Sequence, residues 1–569
     1  MSPMLWRYNK FFVPVFFVCL IAIGTVSKLP DLNLGFQLFR GQDKLFHFLE
    51  YALLAFVGNI AFRFISRRRI KLFLFALLFI ALDELFQGYI PGRNPDFWDG
   101  VAGVLPFAAL FFLRFPLPYT SLDVTGYEEN KAFELARSVI PGKTFTHGTR
   151  KGDITVILTE EHVTYTYLGR TLFIHNVDQK WTDRGHFIKR DLYDSLCLIH
   201  DKVLSPWGLL FQTRPHKVMK YLPEEERFST LQTLFRVMPE KIALMEDVYD
   251  VEKKVKEQVE KTTGLYIGIP FCPSKCSYCS FTSYSKVKFN RYYEPFVRAL
   301  FKELQFRLPR LAAPVSMIYI GGGTPFTLED DDMKRLFEIL FTLIDKSRLL
   351  EFTVEAGRPE IFTEKKCSLL RENGVGRIAV NPQTLHTSTL RRIGRQSTPE
   401  DFFRAYEMAF SAGFETINAD IIFGLPGEMI SHHKKTLKAL LSLEGINNIT
   451  LHALAPKKGA VMPMNESKNI KSPEKSFDYA EKALKQNYFF PYYLYKQRHI
   501  AGNLENIGYS RKGKESLYNV AMIGELCDIA GFGAGASTKI IDEKRLNTSK
   551  NAKDLALYIK SVEGMNGKN

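Results

Sequence analysis

Cysteine is scarce in this sequence, with seven residues among 569, and an odd number of widely spaced thiols does not form a disulfide framework. The scarcity indicates a reducing compartment for the soluble part of the chain. An RNA-binding signature and a helix-turn-helix pattern are also missing, so the net charge of +15 does not favour nucleic acid as a partner. Anionic lipid or an acidic small substrate is compatible with the basic excess.

Long apolar runs, by contrast, are prominent in the first 118 residues. Four of them span residues 11–27, 46–64, 71–90 and 98–115. Each is close to the roughly 20 residues that a helix needs to cross about 30 Å of hydrocarbon. A cleaved signal peptide would explain only the first run. The sequence therefore predicts an N-terminal four-helix transmembrane bundle over residues 1–118.

The short loops between these spans predict their orientation. Arg7 and Lys10 precede the first span, and further basic residues at 67–71 lie between the second and the third. Basic residues in short loops favour the cytoplasmic side, so both groups are expected there. Four spans then return the chain to the cytoplasm. We expect a multi-pass membrane protein that contacts membrane lipid and carries a cytoplasmic soluble part.

Polar side chains within the spans fall into two groups. Such groups are costly in hydrocarbon unless they are paired or hydrated. They are therefore either a functional site or internal salt bridges of the bundle, and both interpretations stay open. The first group is Asp43, Lys44, His47, Glu50 and Tyr51, and the second is Asp83, Glu84, Gln87, Arg93, Asp96 and Asp99. Together with Phe48 and the Pro91–Gly92 pair, this pattern resembles the VanZ-like membrane family, which implies a membrane module.

The sequence becomes polar and mixed after residues 116–120. Residues 153–158 and 162–168 are rich in Val, Thr and Tyr, which is typical of strands. Residues 189–202 and 246–262 have helical patterns, and the second of these is strongly charged. We expect a small α+β middle domain with a linker helix over residues 119–262.

The motif Cys272-x3-Cys276-x2-Cys279 is the strongest chemical signal in the chain. A structural zinc site usually needs four protein ligands, and no second Cys or His pair follows at finger spacing. The other interpretation without a catalytic role is that the three thiols are structural. Three thiolates on one short loop instead suit three corners of a 4Fe-4S cluster and leave one iron without a protein ligand. The four other cysteines (Cys19, Cys197, Cys367 and Cys527) are isolated and read as small buried apolar residues.

The motif resembles that of the radical S-adenosylmethionine (SAM) superfamily. This resemblance implies that SAM chelates the open iron and that an electron from the cluster breaks its sulfonium bond. The product would be a 5′-deoxyadenosyl radical, which abstracts an unactivated hydrogen. The cofactors supply this chemistry, and the protein supplies placement and exclusion of water.

Strands and helices alternate after residue 264, which predicts a parallel sheet with helices outside it. The expected strands are 265–271, 317–321, 351–355, 377–381, 416–423 and 448–454, with helices such as 291–307, 331–345 and 399–412 between them. Six such units make a partial (β/α)6 barrel, assigned to residues 263–460, with a C-terminal extension over 461–569. Sites in such folds lie at the carboxyl ends of the strands, where the cysteine loop, Gly321–Pro325, Glu355, Gln383 and Asp420 occur.

Longer phrases resemble the oxygen-independent coproporphyrinogen III oxidase group (HemN, HemW and HemZ), most of all its HemZ branch. They are Tyr266–Cys272, Gly321–Pro325, Glu355–Pro359, Asn381–Gln383, Ile393–Arg395, Asp420–Gly427, Tyr492–Gln497 and Gly502–Tyr509. With Trp207–Gly208 and Arg214–Pro215, the resemblance runs from about residue 120 to the C-terminus. Three positions differ from the oxidase proper and bear on the porphyrin substrate: Gly268 replaces a usual His, Ser280 a usual Cys and Phe326 a usual Thr.

The resemblance also implies roles for individual residues. Cys272, Cys276 and Cys279 would hold the cluster and, with Tyr266, form the catalytic set. Tyr266 and Tyr278 would flank SAM, and Gly322, Gly323 and Thr324 would meet its methionine end. Glu355, Gln383, Arg395 and Asp420 would hold its ribose and carboxylate, as hydrogen-bond acceptors and a charged fork can do. The segment Gly531–Ala536 would pack near adenine, with Ala536 as a contact.

Three functions follow as hypotheses. The first is oxidative decarboxylation of coproporphyrinogen III propionates in haem biosynthesis, with Lys and Arg meeting an anionic tetrapyrrole and a reductant protein supplying electrons. The second is a haem or porphyrin carrier of the HemW type. The third is a radical SAM enzyme that acts on another substrate.

The charge pattern of the loops makes a direct prediction about topology. A reporter fused after residue 120 should show a cytoplasmic readout, because four spans return the chain to the side of the basic loops. An external readout would contradict the orientation.

Overall fold

The computed structural model describes residues 12–26, 42–62, 68–89, 96–113, 121–126, 129–140, 144–147, 153–159, 162–167, 170–176, 184–200, 203–211, 213–455, 460–462, 473–497, 500–542 and 545–565. The chain divides into two compact units, residues 1–209 and 210–569. The four predicted domains are a finer division, which stays a prediction.

The first unit begins with four helices at the four places where the sequence has apolar runs. They are α1 (Phe12–Val26), α2 (Gln42–Ala61), α3 (Arg68–Gln87) and α4 (Phe97–Ala109). Their buried contacts include Phe16, Tyr51, Leu54, Ala76 and Phe107. Within the described residues, the stretch Lys44–Ala61 is long and apolar enough to cross a membrane, and Val13–Thr25 and Phe97–Ala109 are shorter apolar helices.

The two polar groups of these helices contact each other. Lys44 Nζ lies 2.7 Å from an Asp96 oxygen and 2.9 Å from an Asp99 oxygen, which joins α2 to α4. Tyr51 Oη donates to Asp83 over 3.4 Å and joins α2 to α3. These contacts favour the salt-bridge interpretation. Arg7, Lys10, Arg67, Arg93 and the Asp43 side chain lie outside the described part.

The rest of the first unit is a five-stranded sheet with two helices. Its elements are β1 (Ser121–Gly126), α5 (Glu129–Val139), β2 (Thr144–His147), β3 (Ile154–Leu158), β4 (His162–Tyr167), β5 (Arg170–Asn176) and α6 (Arg184–His200). The strand order is β2-β1-β3-β4-β5, and β1 is parallel to both of its neighbours. Two of these strands and α6 lie where the sequence predicted them, whereas β1, β2, β5 and α5 were not predicted.

The second unit is residues 210–569, and it includes the large sheet. Its elements are α7 (Glu224–Thr233), α8 (Pro239–Val259), β6 (Thr263–Ile269), β7 (Phe271–Cys272), β8 (Tyr284–Ser285), α9 (Tyr293–Arg307), β9 (Val315–Gly322), α10 (Asp330–Leu343), β10 (Glu351–Val354), α11 (Glu364–Glu372), β11 (Arg377–Ala379), α12 (Thr387–Arg392), α13 (Pro399–Ser411), β12 (Thr416–Phe423), α14 (Ile430–Leu441), β13 (Ile446–Ala453), α15 (Pro473–Gln486), β14 (Phe490–Tyr495), β15 (Asn506–Ser510), α16 (Leu517–Gly524), β16 (Asp528–Phe532), β17 (Ser537–Asp542), β18 (Arg545–Lys550) and α17 (Leu555–Glu563).

All six predicted strands are present, and they lie side by side in parallel as β6, β9, β10, β11, β12 and β13. Their side chains are buried almost throughout, as is typical of a parallel sheet covered on both faces. The six predicted parallel strands are thus present, and the predicted C-terminal extension joins the same sheet, which the sequence did not indicate. Strand β16 pairs in parallel with β6 as a seventh barrel strand.

Four further strands continue the sheet at its two sides. The pair β14–β15 is antiparallel and follows β13, while β17 and β18 are antiparallel and follow β16. The order is therefore β14-β15-β13-β12-β11-β10-β9-β6-β16-β17-β18. The barrel stays open, with β14 and β18 at its edges.

Glu351, at the start of β10, connects the C-terminal region to the barrel. Its carboxylate accepts from Ser516 Oγ at 2.9 Å and from the backbone N–H of Leu517 at 2.7 Å, at the beginning of α16. It also lies 3.6 Å from Arg377 Nε, and both side chains are buried. A carboxylate at a helix N-terminus compensates the free N–H groups there.

Replacing Glu351 by Ala should destabilise this connection by about 3 to 5 kcal/mol, because the substitution leaves the buried Arg377 charge without its partner. Amide hydrogen exchange of β10 and α16, read by mass spectrometry, measures the effect locally. The matched control is Glu372→Ala, an exposed position on α11, where a change within about 0.5 kcal/mol is expected. If the amides of β10 and α16 exchange equally slowly in Glu351→Ala and Glu372→Ala, this role of Glu351 is contradicted.

Candidate active site

The cysteine loop leaves the carboxyl end of β6 and is fixed by backbone hydrogen bonds to neighbouring turns. Gly323 N donates to Ile269 O and Thr324 N donates to Phe271 O, each over 2.7 Å. Farther along the loop, Ser277 N donates to Ile393 O over 2.9 Å. The loop therefore takes its shape from the turns after β9 and α12, which makes it a rigid support for ligands.

The three thiols of the motif lie together on this loop. Cys272 and Cys276 are buried and Cys279 is partly buried. Burial raises the pKa of the Cys272 thiol to about 11, and the neighbouring Cys276 and Cys279 thiols act in the same direction. Within the described residues, no three His, Cys, Asp or Glu side chains gather around one ion position. A cubane cluster does not need such a position, because each thiolate binds a different iron.

Two side chains from other strand ends donate hydrogen bonds to these sulfurs. Arg358 Nη1 lies 3.1 Å from Cys276 Sγ, and Thr324 Oγ1 lies 3.4 Å from Cys272 Sγ. Donors of this kind stabilise the thiolate form, which is the form that binds metal. Arg358 belongs to the sequence phrase Glu355–Pro359, but a contact with the thiols was not predicted for it. The feature of the sequence that could have indicated this contact is the position of Arg358 in the loop directly after a barrel strand.

The glycine turn after β9 contacts the cysteine loop too closely for any side chain. A Cβ atom on Gly323 would lie 2.6 Å from Phe271 O and 3.1 Å from Cys272 Sγ. Gly322 has a φ of +103°, which L side chains rarely adopt. These glycines let the turn after β9 pack directly against the cysteine loop, a close approach that a side chain would prevent.

Glu355 follows β10 on the inner side of the barrel, beside a pair of tyrosine rings. Tyr319 Oη donates to Glu355 Oε2 over 3.4 Å, and the Tyr319 ring stacks on Tyr266 at 6.2 Å between centroids. Burial, reinforced by the Asp420 carboxylate, raises the pKa of Glu355 to about 8. Tyr266 therefore lies next to an acid that can hold or release a proton near neutral pH.

Asp420, in β12, forms a second polar group with His452, in β13. Their closest atoms, His452 Nε2 and Asp420 Oδ2, are 3.6 Å apart, and Asn418 Nδ2 donates to Asp420 over 2.8 Å. Burial acts to raise the pKa of Asp420, but His452 and Asn418 outweigh it and hold the pKa below its usual value. Burial acts against protonation of His452, yet the Asp420 carboxylate raises its pKa. His452 was not identified from the sequence.

Gln383 and Arg395 occupy the turns after β11 and α12. Gln383 has a φ of +63° and is buried, and its Oε1 finds no hydrogen-bond partner among the described residues. Arg395 donates to the carbonyls of Asn381, Pro382 and Gly357, and its Nε has no hydrogen-bond partner in the part of the chain that the structure describes. An unsatisfied buried oxygen is the type of atom that a ligand hydroxyl or amine satisfies.

Tyr278 packs with the apolar cluster around Ile393 and Leu425. Its position in the cysteine loop places it beside Cys276, Cys279 and Arg395, whose charges affect its pKa, although burial is the main cause that raises it. The predicted ligand-flanking tyrosine is therefore close to the thiols.

The segment after β16 contacts the other side of the cysteine loop. A Cβ atom on Gly535 would lie 2.6 Å from Thr282 Oγ1, and Ala536 is buried. Gly268, one of the three positions that differ from the oxidase proper, lies close to Phe532 O. A second such position, Phe326, is buried against Phe362, with ring centroids 4.6 Å apart. The predicted site residues therefore lie in the barrel strands or in the loops of the second unit, and their roles stay predictions.

Comparison with known proteins identifies the family. The profile of the radical SAM superfamily matches residues 266–440. The oxygen-independent coproporphyrinogen-III oxidase-like protein HemZ of Bacillus subtilis is 34% identical over 394 residues, which cover 65% of this chain and 78% of that protein. The chain belongs to the HemN/HemW/HemZ family of radical SAM proteins.

Other members of the HemN/HemW/HemZ family are less similar. The heme chaperone HemW of Bacillus subtilis is 28% identical over 286 residues, which cover 50% of this chain and 72% of HemW. The solved structure of the coproporphyrinogen III oxidase HemN from Escherichia coli has 22% identity and a TM-score of 0.44, and the match covers 55% of this chain and 73% of HemN.

This HemN/HemW/HemZ-family chain is an enzyme of the radical SAM superfamily and uses a 4Fe-4S cluster and SAM. Its own residues fit both groups. Three thiols share a loop that is held in place from two sides, and two donors point at the sulfurs. The Gly323 turn has no room for a side chain, and within the described ranges Gln383 Oε1 has no hydrogen-bond partner.

Replacing Cys276 by Ala should abolish the cluster's visible absorbance and SAM cleavage, since the remaining two thiolates hold an incomplete cube. Absorbance and iron content after anaerobic reconstitution measure the loss. The matched control is Cys367→Ala, a buried thiol on α11, which should keep a full complement of iron. Normal cluster assembly in Cys276→Ala would show that the ligand assignment is wrong.

Proposed function

We propose that this chain is a membrane-tethered radical SAM enzyme that oxidatively decarboxylates the propionates of an anionic tetrapyrrole, as a coproporphyrinogen III oxidase does in haem biosynthesis. The main support is the similarity to HemZ, which extends over 394 residues and far beyond the residues matched by the superfamily profile. The net charge of +15 also suits a substrate with several carboxylates.

In this proposal, Cys272, Cys276 and Cys279 hold the cluster. When bound, the cluster and SAM supply a 5′-deoxyadenosyl radical that removes a propionate β-hydrogen, after which carbon dioxide leaves, one electron passes to an external acceptor and a vinyl group remains. A reductant protein supplies the electron that starts the reaction. The chain itself binds and orients the reactants.

The binding residues divide between the two ends of SAM. Gly322, Gly323 and Thr324 present backbone groups to its methionine end. Glu355 and Asp420 accept hydrogen bonds from ribose hydroxyls, and the free Gln383 Oε1 accepts another. These groups lie on or directly after the strands β9, β10, β11 and β12, so the sheet holds them in place before a ligand binds.

The rest of the site fixes these groups and covers them. Arg395 donates to three loop carbonyls and so fixes the turns around it. Tyr266 and Tyr278 exclude water from the two sides, and Ala536 belongs to the segment that covers adenine. His452 keeps the Asp420 carboxylate ionised, so that it stays an acceptor.

We also propose that α1 to α4 form a VanZ-like module that anchors the enzyme in the membrane, with the barrel in the cytoplasm. Large apolar side chains on these helices are exposed, including Leu78 at 63%, Leu49 at 52% and Leu105 at 53%. Lipid contact would cover such side chains, whereas water would not. Membrane lipid would then be a permanent partner.

The similarity to HemW favours a second candidate, a haem or porphyrin carrier that keeps the cluster. A carrier would bind the tetrapyrrole without cleaving SAM. Both candidates would use the same site residues, and they differ in whether SAM is cleaved and the tetrapyrrole is converted.

An anaerobic assay of the full-length protein with coproporphyrinogen III, SAM and dithionite separates these functions. The oxidase should release carbon dioxide and 5′-deoxyadenosine and form a vinyl product, and all three should disappear in Cys276→Ala. Formation of 5′-deoxyadenosine without the vinyl product would point to another substrate. Tetrapyrrole binding without SAM cleavage would favour the carrier and contradict the oxidase.

A further inference from the structure

Arg358 is fixed in a turn between two barrel strands. It follows β10, and its own N–H donates to Ala356 O over 2.7 Å. The preceding Gly357 has a φ of +66°, and its N–H donates to Ala379 O at the end of β11 over 2.9 Å. The side chain is only 3% exposed. Both the backbone and the surroundings therefore set the direction of the guanidinium group.

The guanidinium group connects this turn to the cysteine loop. Nη1 lies 3.1 Å from Cys276 Sγ and Nη2 lies 2.8 Å from Ser274 Oγ. Ser274 Oγ in turn donates to Gly394 O over 2.9 Å. A planar fork that contacts two atoms of one loop fixes direction as well as distance, which a lysine cannot do.

Glu360 is the counter-charge on the other side of the guanidinium group. Its Oε1 accepts from Arg358 Nε at 2.8 Å and lies 2.6 Å from Nη2, while its buried Oε2 has no hydrogen-bond partner among the residues that the structure describes. A buried cation is costly unless it is paired. Here Arg358 lies between one carboxylate and one thiolate, so its charge acts on both.

The Cys276 sulfur lies where electron density changes during reduction. Each electron that enters through the thiolate-bound iron adds one negative charge near Cys276 Sγ. A cation 3.1 Å from that sulfur favours the more negative state, and a carboxylate that neutralises the cation opposes this effect. Hydrogen bonds to cluster sulfurs are one of the ways in which proteins set reduction potentials.

We propose that Arg358 is a positioning residue that raises the reduction potential of the cluster by donating a hydrogen bond to the Cys276 thiolate, and that Glu360 moderates this effect. The proposal rests on the assignment of Cys276 as a cluster ligand. It does not depend on the tetrapyrrole, since the potential is a property of the cluster and its surroundings.

A redox titration tests the proposal on the full-length protein, reconstituted anaerobically and without SAM or tetrapyrrole. The electron paramagnetic resonance signal of the reduced cluster is followed against the applied potential. Arg358→Gln should shift the midpoint downward by about 59 mV, which is a tenfold change in a one-electron equilibrium. Glu360→Gln should shift it upward, and Arg358→Lys should fall between Arg358→Gln and the unchanged protein.

The control is Arg404→Gln, an exposed arginine on α13 that pairs with Asp401 in the same helix; this variant should titrate like the unchanged protein. Equal midpoints for Arg358→Gln and the unchanged protein, at equal iron content, would overturn the proposal. If Arg358→Gln binds no cluster, Arg358→Lys and Glu360→Gln decide, because their shifts must have opposite signs. If the midpoint shifts are observed but the decarboxylation assay gives no vinyl product, only the substrate assignment is refuted.

Discussion

The short backbone contact between the cysteine loop and the glycine turn after β9 is the constraint on which the site depends. Two amide groups of that turn, on Gly323 and Thr324, donate to carbonyls on either side of Pro270. The contact exists because β6 and β9 are parallel neighbours that end at the same level, and because Gly323 has no side chain. A methyl group there would displace the first thiol, and with it the spacing of the other two.

Around this contact, the site combines charges of both signs that are shielded from water. Arg358 is placed beside a thiol, Asp420 beside His452, and Glu355 beside Tyr319. Each arrangement pairs a group that is costly to bury with a partner from a different strand or loop. The polar pairs therefore connect segments that are far apart in the sequence, and the geometry of the site depends on the folded sheet.

The barrel and the motif residues could be predicted because their signals are local. A strand followed by Gly-rich or Cys-rich residues marks a strand end, and apolar runs mark α1 to α4. Strand β16 could not be found in this way, since Asp528–Phe532 is short, contains Gly and Ala, and pairs with a strand more than 250 residues earlier in the chain. Arg358 and His452 were missed for a related reason: their partners, Cys276 and Asp420, belong to other strand ends, and only the folded sheet brings them together.

The place of β16 next to β6 has a consequence for biosynthesis. β6 is made first, but its second neighbour β16 is made more than 250 residues later. One edge of β6 therefore stays unpaired during synthesis until β16 has left the ribosome. Iron and sulfide delivered before that point would meet a cysteine loop that the segment after β16 does not yet cover.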